Sequence, residues 1–159
     1  MLNAEYPPDL PVFVSTIDDY QRLEQRHSPA EQMFATVLTD DFEIGFRGGH
    51  QWKGLNGLRV YLTQRDGIFD ERLELRQVLS YVPVQEDVIE LTTRVEFFFR
   101  RWRAPSPVSE EFTGSAFHTW LIRIADNEIR VARVIIDGFA NLNDNARAAF
   151  AIPDEGFDE

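Results

Sequence analysis

The chain of 159 residues contains no cysteine. It can form no disulfide, and it offers no thiolate as a nucleophile or as a metal ligand. Because cysteine usage gives no clue to a redox compartment, we expect the default location, the cytoplasm.

Basic residues are also scarce. The 16 Lys and Arg residues stand against 27 Asp and Glu, which gives a formal net charge of -11. Proteins that bind nucleic acid neutralise its phosphates with clustered Lys and Arg, and anionic membranes attract the same residues. The composition therefore argues against nucleic acid and membranes as partners.

Long apolar runs are missing as well. No segment approaches the roughly 20 apolar residues of a membrane-spanning helix. Residues 1–11 contain three prolines and two acidic residues but no apolar stretch typical of a secretory signal. We expect a soluble, unprocessed chain with one domain, since this length suffices to bury roughly 70% of the unfolded surface.

Periodic patterns place that domain at residues 15–141. Residues 1–14 predict an extended or disordered arm because they carry three prolines and little periodicity. Residues 142–159 predict a polar, acidic tail. Ser15 and Ser28 each precede a carboxylate by three residues, a spacing typical of helix starts. After these two helices we predict a strand at 42–46, a glycine loop at 48–54, a helix at 55–69, and long strands at 72–84, 88–103, 110–124 and 128–139.

Four segments carry a resemblance to a known family. They are Thr39-Asp40-Asp41-Phe42 at the entry to the first strand, Trp52-Lys53-Gly54 before the third helix, Gly114 to Trp120, and Arg133-Val134-Ile135-Ile136-Asp137. With the order of elements, they resemble the nuclear transport factor 2-like superfamily and its SnoaL-like members of the polyketide cyclase, ketosteroid isomerase and scytalone dehydratase types. The resemblance implies an α+β fold with a cone-shaped, cystatin-like curved antiparallel sheet wrapped around about three N-terminal helices and enclosing a pocket.

His118 is the first candidate for chemistry. Strand alternation puts it on one face with Phe112, Ala116, Trp120 and Ile122, where it is the one titratable side chain. Imidazole titrates near neutral pH and can serve as a general acid or base. The alternative is a core histidine that is bound to a backbone carbonyl or a hydroxyl.

Asp137 ends an apolar run on the last strand and is the candidate partner of His118. A carboxylate beside imidazole sets its tautomer and raises its basicity, so the two residues could form a dyad across the sheet. An aspartate in this place is also commonly a turn or cap residue.

The resemblance adds roles for further positions. When the chain is aligned with ketosteroid isomerases, the general-base aspartate of those enzymes falls at Phe46. Their second carboxyl group falls near His118, and their pocket tyrosine falls near Tyr20 or Arg22. The scytalone dehydratase pattern of a strand histidine beside tyrosines would instead combine His118 with Tyr20 and Tyr61.

Aromatic side chains are candidates for the pocket walls or for ordinary core residues. The histidines lack the spacing of a metal site, and we expect neither a metal nor another cofactor. The expected wall residues are Phe46, Trp52, Tyr61, Phe97 and Trp120.

Two functions remain open on the sequence. One is a cofactor-independent lyase or isomerase that acts on a mostly apolar or aromatic small molecule, with His118, Asp137 and Tyr20 as its catalytic residues. The other is a non-catalytic ligand-binding or assembly subunit, like the small subunit of ring-hydroxylating oxygenases. Apolar residues on the outer sheet face indicate a homodimer in either case. They are Phe98, Phe117 and Leu121, and we also assign Ala132, Val134 and Ile136 to this face.

Overall fold

The computed structural model describes residues 10–150. Four helices and six strands follow one another in these residues, in the α+β class expected from the sequence. In chain order they are α1 (Leu10–Gln25), α2 (Ala30–Thr36), β1 (Leu38–Phe46), β2 (Gln51–Lys53), α3 (Gly54–Thr63), β3 (Ile68–Gln85), β4 (Val88–Arg101), β5 (Glu110–Ala125), β6 (Glu128–Ala140) and α4 (Asp144–Phe150).

The first helix begins earlier than predicted. Residues 10–14, which we predict from the sequence to belong to an extended arm, are helical. Phe13 lies one turn before Ile17 and is buried beside it, as is Tyr20. The apolar stripe therefore continues past the predicted start and holds the earlier turn against the core. Residues 1–9 of the predicted arm and residues 151–159 of the predicted tail lie outside the described residues.

The third helix ends earlier than predicted. It stops at Thr63, and Phe69 belongs to β3 instead. The turn between them centres on Gly67, whose φ is +87°, and a Cβ there would lie 2.5 Å from the carbonyl oxygen of Trp102. Only glycine fits this close approach of two backbone segments, so the helix cannot continue to residue 69.

The six strands form one curved sheet in the order β2-β1-β6-β5-β4-β3. Neighbouring strands are antiparallel except β1 and β6, which are parallel. The sheet is therefore mixed rather than wholly antiparallel, because no hairpin turn dictates the relative direction of strands so far apart in the chain. Register shifts along β3 and β6 mark bulges, which bend a sheet.

Strands β4 and β5 pair without any register shift, from Val88 opposite Arg123 to Arg101 opposite Glu110. The alternation predicted for both strands holds along this whole length. At its centre the buried Trp120 indole donates a 2.8 Å hydrogen bond from Nε1 to Oγ1 of Thr93. This pair fixes Trp120 at the inner face of the sheet.

The assignment of apolar β6 residues to the outer face is wrong. Ile136 pairs with His118 and Val134 pairs with Trp120, so these side chains share the inner face. Both residues line an internal cavity. The bulges of β6 make its alternation a poor guide, because each extra residue reverses the side of those beyond it.

Hydrophobic side chains form two clusters on the inner face. The larger one packs α1, α2 and α3 against β1, β5 and β6, with Trp120 at 1% exposure. The smaller one packs α4 against β4 and β5 around Phe97, Phe99 and Phe112. None of the helices in residues 10–150 has both the length and the apolar character needed to cross a membrane.

Candidate functional site

A cavity of about 530 Å³ lies where the inner sheet face meets α1, α3 and α4. Both hydrophobic clusters contribute to its walls, so most of its surface is apolar or aromatic. The aromatic residues and histidine that line it are Tyr20, Phe46, Tyr61, Phe97, Phe99, His118, Trp120, Phe139 and Phe150.

Most of the site residues predicted from the sequence meet at this cavity, and one does not. Trp52 is absent from the lining. It lies on the short edge strand β2, where its ring packs against His50 at 4.7 Å and against Tyr61 at 5.3 Å. Trp52 therefore contacts the cavity-lining Tyr61 without lining the cavity itself. The predicted residues that do line the cavity are Tyr20, Phe46, Tyr61, Phe97, His118, Trp120 and Asp137.

His118 lines the cavity from the middle of β5. Its Nδ1 atom is buried and has no hydrogen-bond partner within residues 10–150. Burial lowers the pKa of the imidazole to about 4, against the opposing influence of the Asp137 charge. His118 is therefore neutral at pH 7, with one buried polar atom that no other described group satisfies.

Asp137 lies close to His118 but is held by other residues. It occupies the bulge where Ile136 pairs with His118 and Gly138 pairs with Phe117. Its Oδ2 accepts a 2.6 Å hydrogen bond from Thr119, and its Oδ1 accepts one from Arg47.

The expected hydrogen bond between Asp137 and His118 is not formed. Thr119 follows His118 on the strand and so points to the opposite face, which draws the Asp137 carboxylate away from the imidazole. Asp137 acts on His118 through its charge.

The two tyrosines lie on the helix side of the cavity. The Tyr20 ring packs edge-on against Trp120 at 5.3 Å, and the His118 ring contacts the same indole at 5.5 Å. The Tyr20 hydroxyl is buried and has no partner in the described part of the chain. Burial raises the pKa of both Tyr20 and Tyr61, so both phenols stay protonated and can donate hydrogen bonds.

Comparison with known proteins places this architecture among solved structures. No protein family profile and no curated protein matches the sequence. A candidate scytalone dehydratase from Novosphingobium aromaticivorans superposes with a TM-score of 0.69 at 12% identity, over 86% of this chain and 87% of that one. A ketosteroid isomerase-like protein from Erwinia carotovora atroseptica superposes with a TM-score of 0.61 at 20% identity, over 83% and 97%.

A third solved structure names the architecture. It is an NTF2-like protein with a cystatin-like fold from Novosphingobium aromaticivorans, with a TM-score of 0.54 at 20% identity over 86% of this chain and 83% of that one. The chain has the nuclear transport factor 2-like fold. Similarity at these identities establishes the fold, while activity depends on the site.

In this nuclear transport factor 2-like fold, the cavity wall also carries one charged cluster that was not predicted from the sequence. Glu24 on α1, Arg65 after α3 and Glu71 on β3 all line the cavity. Their side chains are 11%, 13% and 2% exposed, and Arg65 donates a hydrogen bond to the Glu71 carboxylate. Burial raises the pKa of Glu24 to about 7, although Arg65 acts in the opposite direction.

A local signal for part of this cluster was present in the sequence. Glu24 follows Tyr20 by four residues, so both side chains lie on the same face of α1. Arg65 and Glu71 come from other elements, and only the fold brings them to Glu24. Within residues 10–150, no group of three or more His, Asp or Glu side chains is placed to hold a metal ion.

Proposed function

We propose that the protein binds a small, mostly apolar or aromatic molecule in this cavity and acts on it as a cofactor-independent lyase or isomerase. The observation that carries the proposal is a pair of buried, unpartnered polar atoms on two side chains that line the cavity, Nδ1 of His118 and the hydroxyl of Tyr20. Buried polar groups in proteins are nearly always hydrogen-bonded, so a free donor and a free imidazole nitrogen are typical of a ligand site.

Proton transfer next to a carbonyl group suits this pair. The neutral imidazole of His118 takes a proton from carbon, and the electron pair of the broken C–H bond moves onto the carbonyl oxygen. Tyr20, or Tyr61 beside it, donates a hydrogen bond to that oxygen as its charge develops. Return of the proton to another carbon completes an isomerisation, whereas loss of a leaving group completes an elimination.

Asp137 contributes to this chemistry as a nearby charge. His118 becomes an imidazolium when it takes a proton, and the Asp137 carboxylate favours that form. Arg47 and Thr119 keep the carboxylate in place. Asp137 is therefore a positioning residue, and its loss should change the pH profile of the reaction more than the affinity for ligand.

A second function, binding without catalysis, is favoured by one observation. The carboxylate expected to orient His118 is hydrogen-bonded elsewhere, so the imidazole lacks the partner that most catalytic histidines have. In this case His118 only holds the ligand, as in a carrier or an assembly subunit.

We also propose that the outer sheet face pairs two copies of the chain. Phe98 and Phe117 remain partly exposed on that face, and the guanidinium groups of Arg72 and Arg100 lie over the Phe98 ring. A partly exposed aromatic surface of this kind suits a two-fold contact with an identical surface. Sedimentation equilibrium of Phe117→Glu tests it, because a charge there should separate a dimer, whereas a wild-type monomer contradicts the proposal.

The test of the leading function begins with a thermal-shift screen of aromatic and polyketide-like compounds. A ligand that binds the native state at about one hundred times its Kd adds about 2.7 kcal/mol to the free energy of unfolding. A compound that binds is then assayed for conversion. His118→Asn should reduce turnover by at least about a hundredfold, the usual minimum for loss of a general base.

The matched control is His27→Asn, since His27 lies outside the cavity lining and has a positive φ of 56° that asparagine tolerates. It should leave turnover unchanged. Binding without conversion, or equal turnover in His118→Asn and wild type, would favour the non-catalytic function.

A further inference from the structure

The α1 wall of the cavity holds polar side chains that the proposed proton transfer leaves unused. Gln21 and Glu24 are three residues apart, so they lie on the same helix face, next to Tyr20. All three line the cavity. Gln21 is 3% exposed and Tyr20 is 2% exposed, so this wall is both polar and buried.

Two hydrogen-bond acceptors on this wall have no donor. The Oε1 atom of Gln21 is buried without a partner in the described part of the chain. Oε2 of Glu24 is 4.0 Å from Nη1 of Arg65, which is beyond hydrogen-bond reach.

Arg65 is ion-paired with the Glu24 carboxylate at 4.0 Å but does not hydrogen-bond to it. Its Nη2 atom donates to the Glu71 carboxylate and to the backbone carbonyl of Glu24. No side chain within residues 10–150 donates a hydrogen bond to the Glu24 carboxyl group.

We infer that the ligand presents a hydroxyl group to Glu24 and Gln21, so that the molecule bound here is a neutral, mostly apolar alcohol or phenol. A hydroxyl donates its one proton to one acceptor, here the Glu24 carboxylate, and can itself accept a hydrogen bond from a neighbouring donor. The inference rests on the proposed function and adds the ligand class and the wall of the cavity that recognises it. Purely apolar molecules would leave these acceptors unpaired, which is costly in a buried site.

The charge on Glu24 should tune this recognition. Its carboxyl group titrates near neutral pH because burial raises its pKa to about 7. Glu24 and Arg65 also line a groove on the other side of the wall, through which protons can exchange with solvent. The titratable and charged groups that face Glu24 are Tyr20, Tyr61, Arg65 and Glu71 in the cavity and His27, Glu31, Arg59 and Asp66 along the groove.

The experiment compares tetralol with tetralin, the same ring system without the hydroxyl group. Isothermal titration calorimetry gives the Kd of each probe from about pH 5.5 to about pH 8.5. Hydrogen bonds to a carboxylate are roughly twice as strong as those to a neutral group. The preference for tetralol over tetralin should therefore rise roughly fivefold as the pH passes through the Glu24 titration, and tetralol binding should release protons.

Two variants isolate the carboxylate. Glu24→Gln keeps the shape and a hydrogen-bond acceptor but cannot titrate, so the pH-dependent part of the preference should disappear. Glu74→Gln makes the same change at a surface carboxylate that is paired with Arg76 and lies outside both the cavity and the groove, so it should behave like wild type. Thermal melts of both variants establish that each is folded, and the comparison of the two probes on the wild-type protein needs no variant.

The outcomes separate the inference from the proposed function. If both probes bind with the same affinity, or if the preference does not change with pH or survives unchanged in Glu24→Gln, the hydroxyl inference is overturned while the ligand cavity stands. If neither probe binds, the proposed function and the inference fall together.

Discussion

Replacing His118 with asparagine should change how the stability of the protein depends on pH. The imidazole has a pKa of about 4 in the folded protein, against 6.5 for an unperturbed histidine such as that of the unfolded chain. Between these two values the unfolded chain binds more protons at this position than the folded chain. The free energy of unfolding of the wild type therefore falls as the pH drops through this range.

The size of the effect follows from the same two values. One pKa unit corresponds to about 1.36 kcal/mol, so acidification from pH 7 to pH 4 should cost the wild type about 3 kcal/mol through His118 alone. His118→Asn lacks this loss. Carboxylates elsewhere titrate alike in both proteins, so they cancel when the two curves are subtracted.

Urea unfolding at a series of pH values measures the difference directly. The wild type minus His118→Asn value should fall by about 3 kcal/mol from pH 7 to pH 4, while the same subtraction with His27→Asn, which changes an exposed histidine outside the cavity, should be flat. A flat curve for His118→Asn as well would refute the reasoning, because it would mean that the imidazole is hydrated or paired in the folded protein.

Three further predictions concern the cavity walls. Glu24 has a raised pKa in the folded protein, so its contribution to the free energy of unfolding is present below about pH 4.5 and is lost as the pH rises towards 7. Over that range, unfolding curves should show the free energy of unfolding of Glu24→Gln rising by about 2 to 3 kcal/mol relative to wild type. The absence of such a rise would contradict the burial of this carboxyl group. Trp120→Phe should lower the free energy of unfolding, measured with denaturant, by about 1 to 3 kcal/mol because it leaves the hydroxyl of the fully buried Thr93 unpaired. Adding Thr93→Val should recover part of that loss. An equal loss in the single and double variants would count against the hydrogen bond. Arg65→Met should lower the free energy of unfolding by about 3 to 5 kcal/mol because it leaves buried carboxylates uncompensated. The surface variant Arg59→Met should lower it by at most about 1 kcal/mol. Similar losses in the two variants would mean that the buried cluster is hydrated.

Strand alternation predicted the position of His118 because β4 and β5 pair without a register shift. Over such a length the side-chain period of two holds, so the residues sharing a face with His118 could be identified from spacing alone. The position of Trp120 follows from the same pattern.

The same pattern failed where the strand is irregular. Asp137 sits in a bulge of β6, and the bulge decides that Thr119 and Arg47 hold its carboxylate. The local sequence around Asp137 does not predict the extra residue of the bulge, because a bulge depends on the pairing between two strands. For the same reason the inner position of Val134 and Ile136 was misjudged.

The charged cluster on the cavity wall could not be predicted from the sequence for a different reason. Glu24, Arg65 and Glu71 come from a helix, a turn and a strand, and each alone resembles an ordinary surface charge. Their burial depends on how the chain packs over long distances in sequence, which local propensity does not encode. The family resemblance predicted the fold but not this cluster.

The most direct test of the central claim is an NMR titration of the His118 side chain, with and without tetralol. We predict an imidazole that is neutral at pH 7 with a pKa of about 4, and a ring nitrogen resonance that shifts when the probe binds. An ordinary pKa near 6.5, together with a resonance that does not respond to any ligand the protein binds, would contradict the claim that His118 meets the ligand inside the cavity.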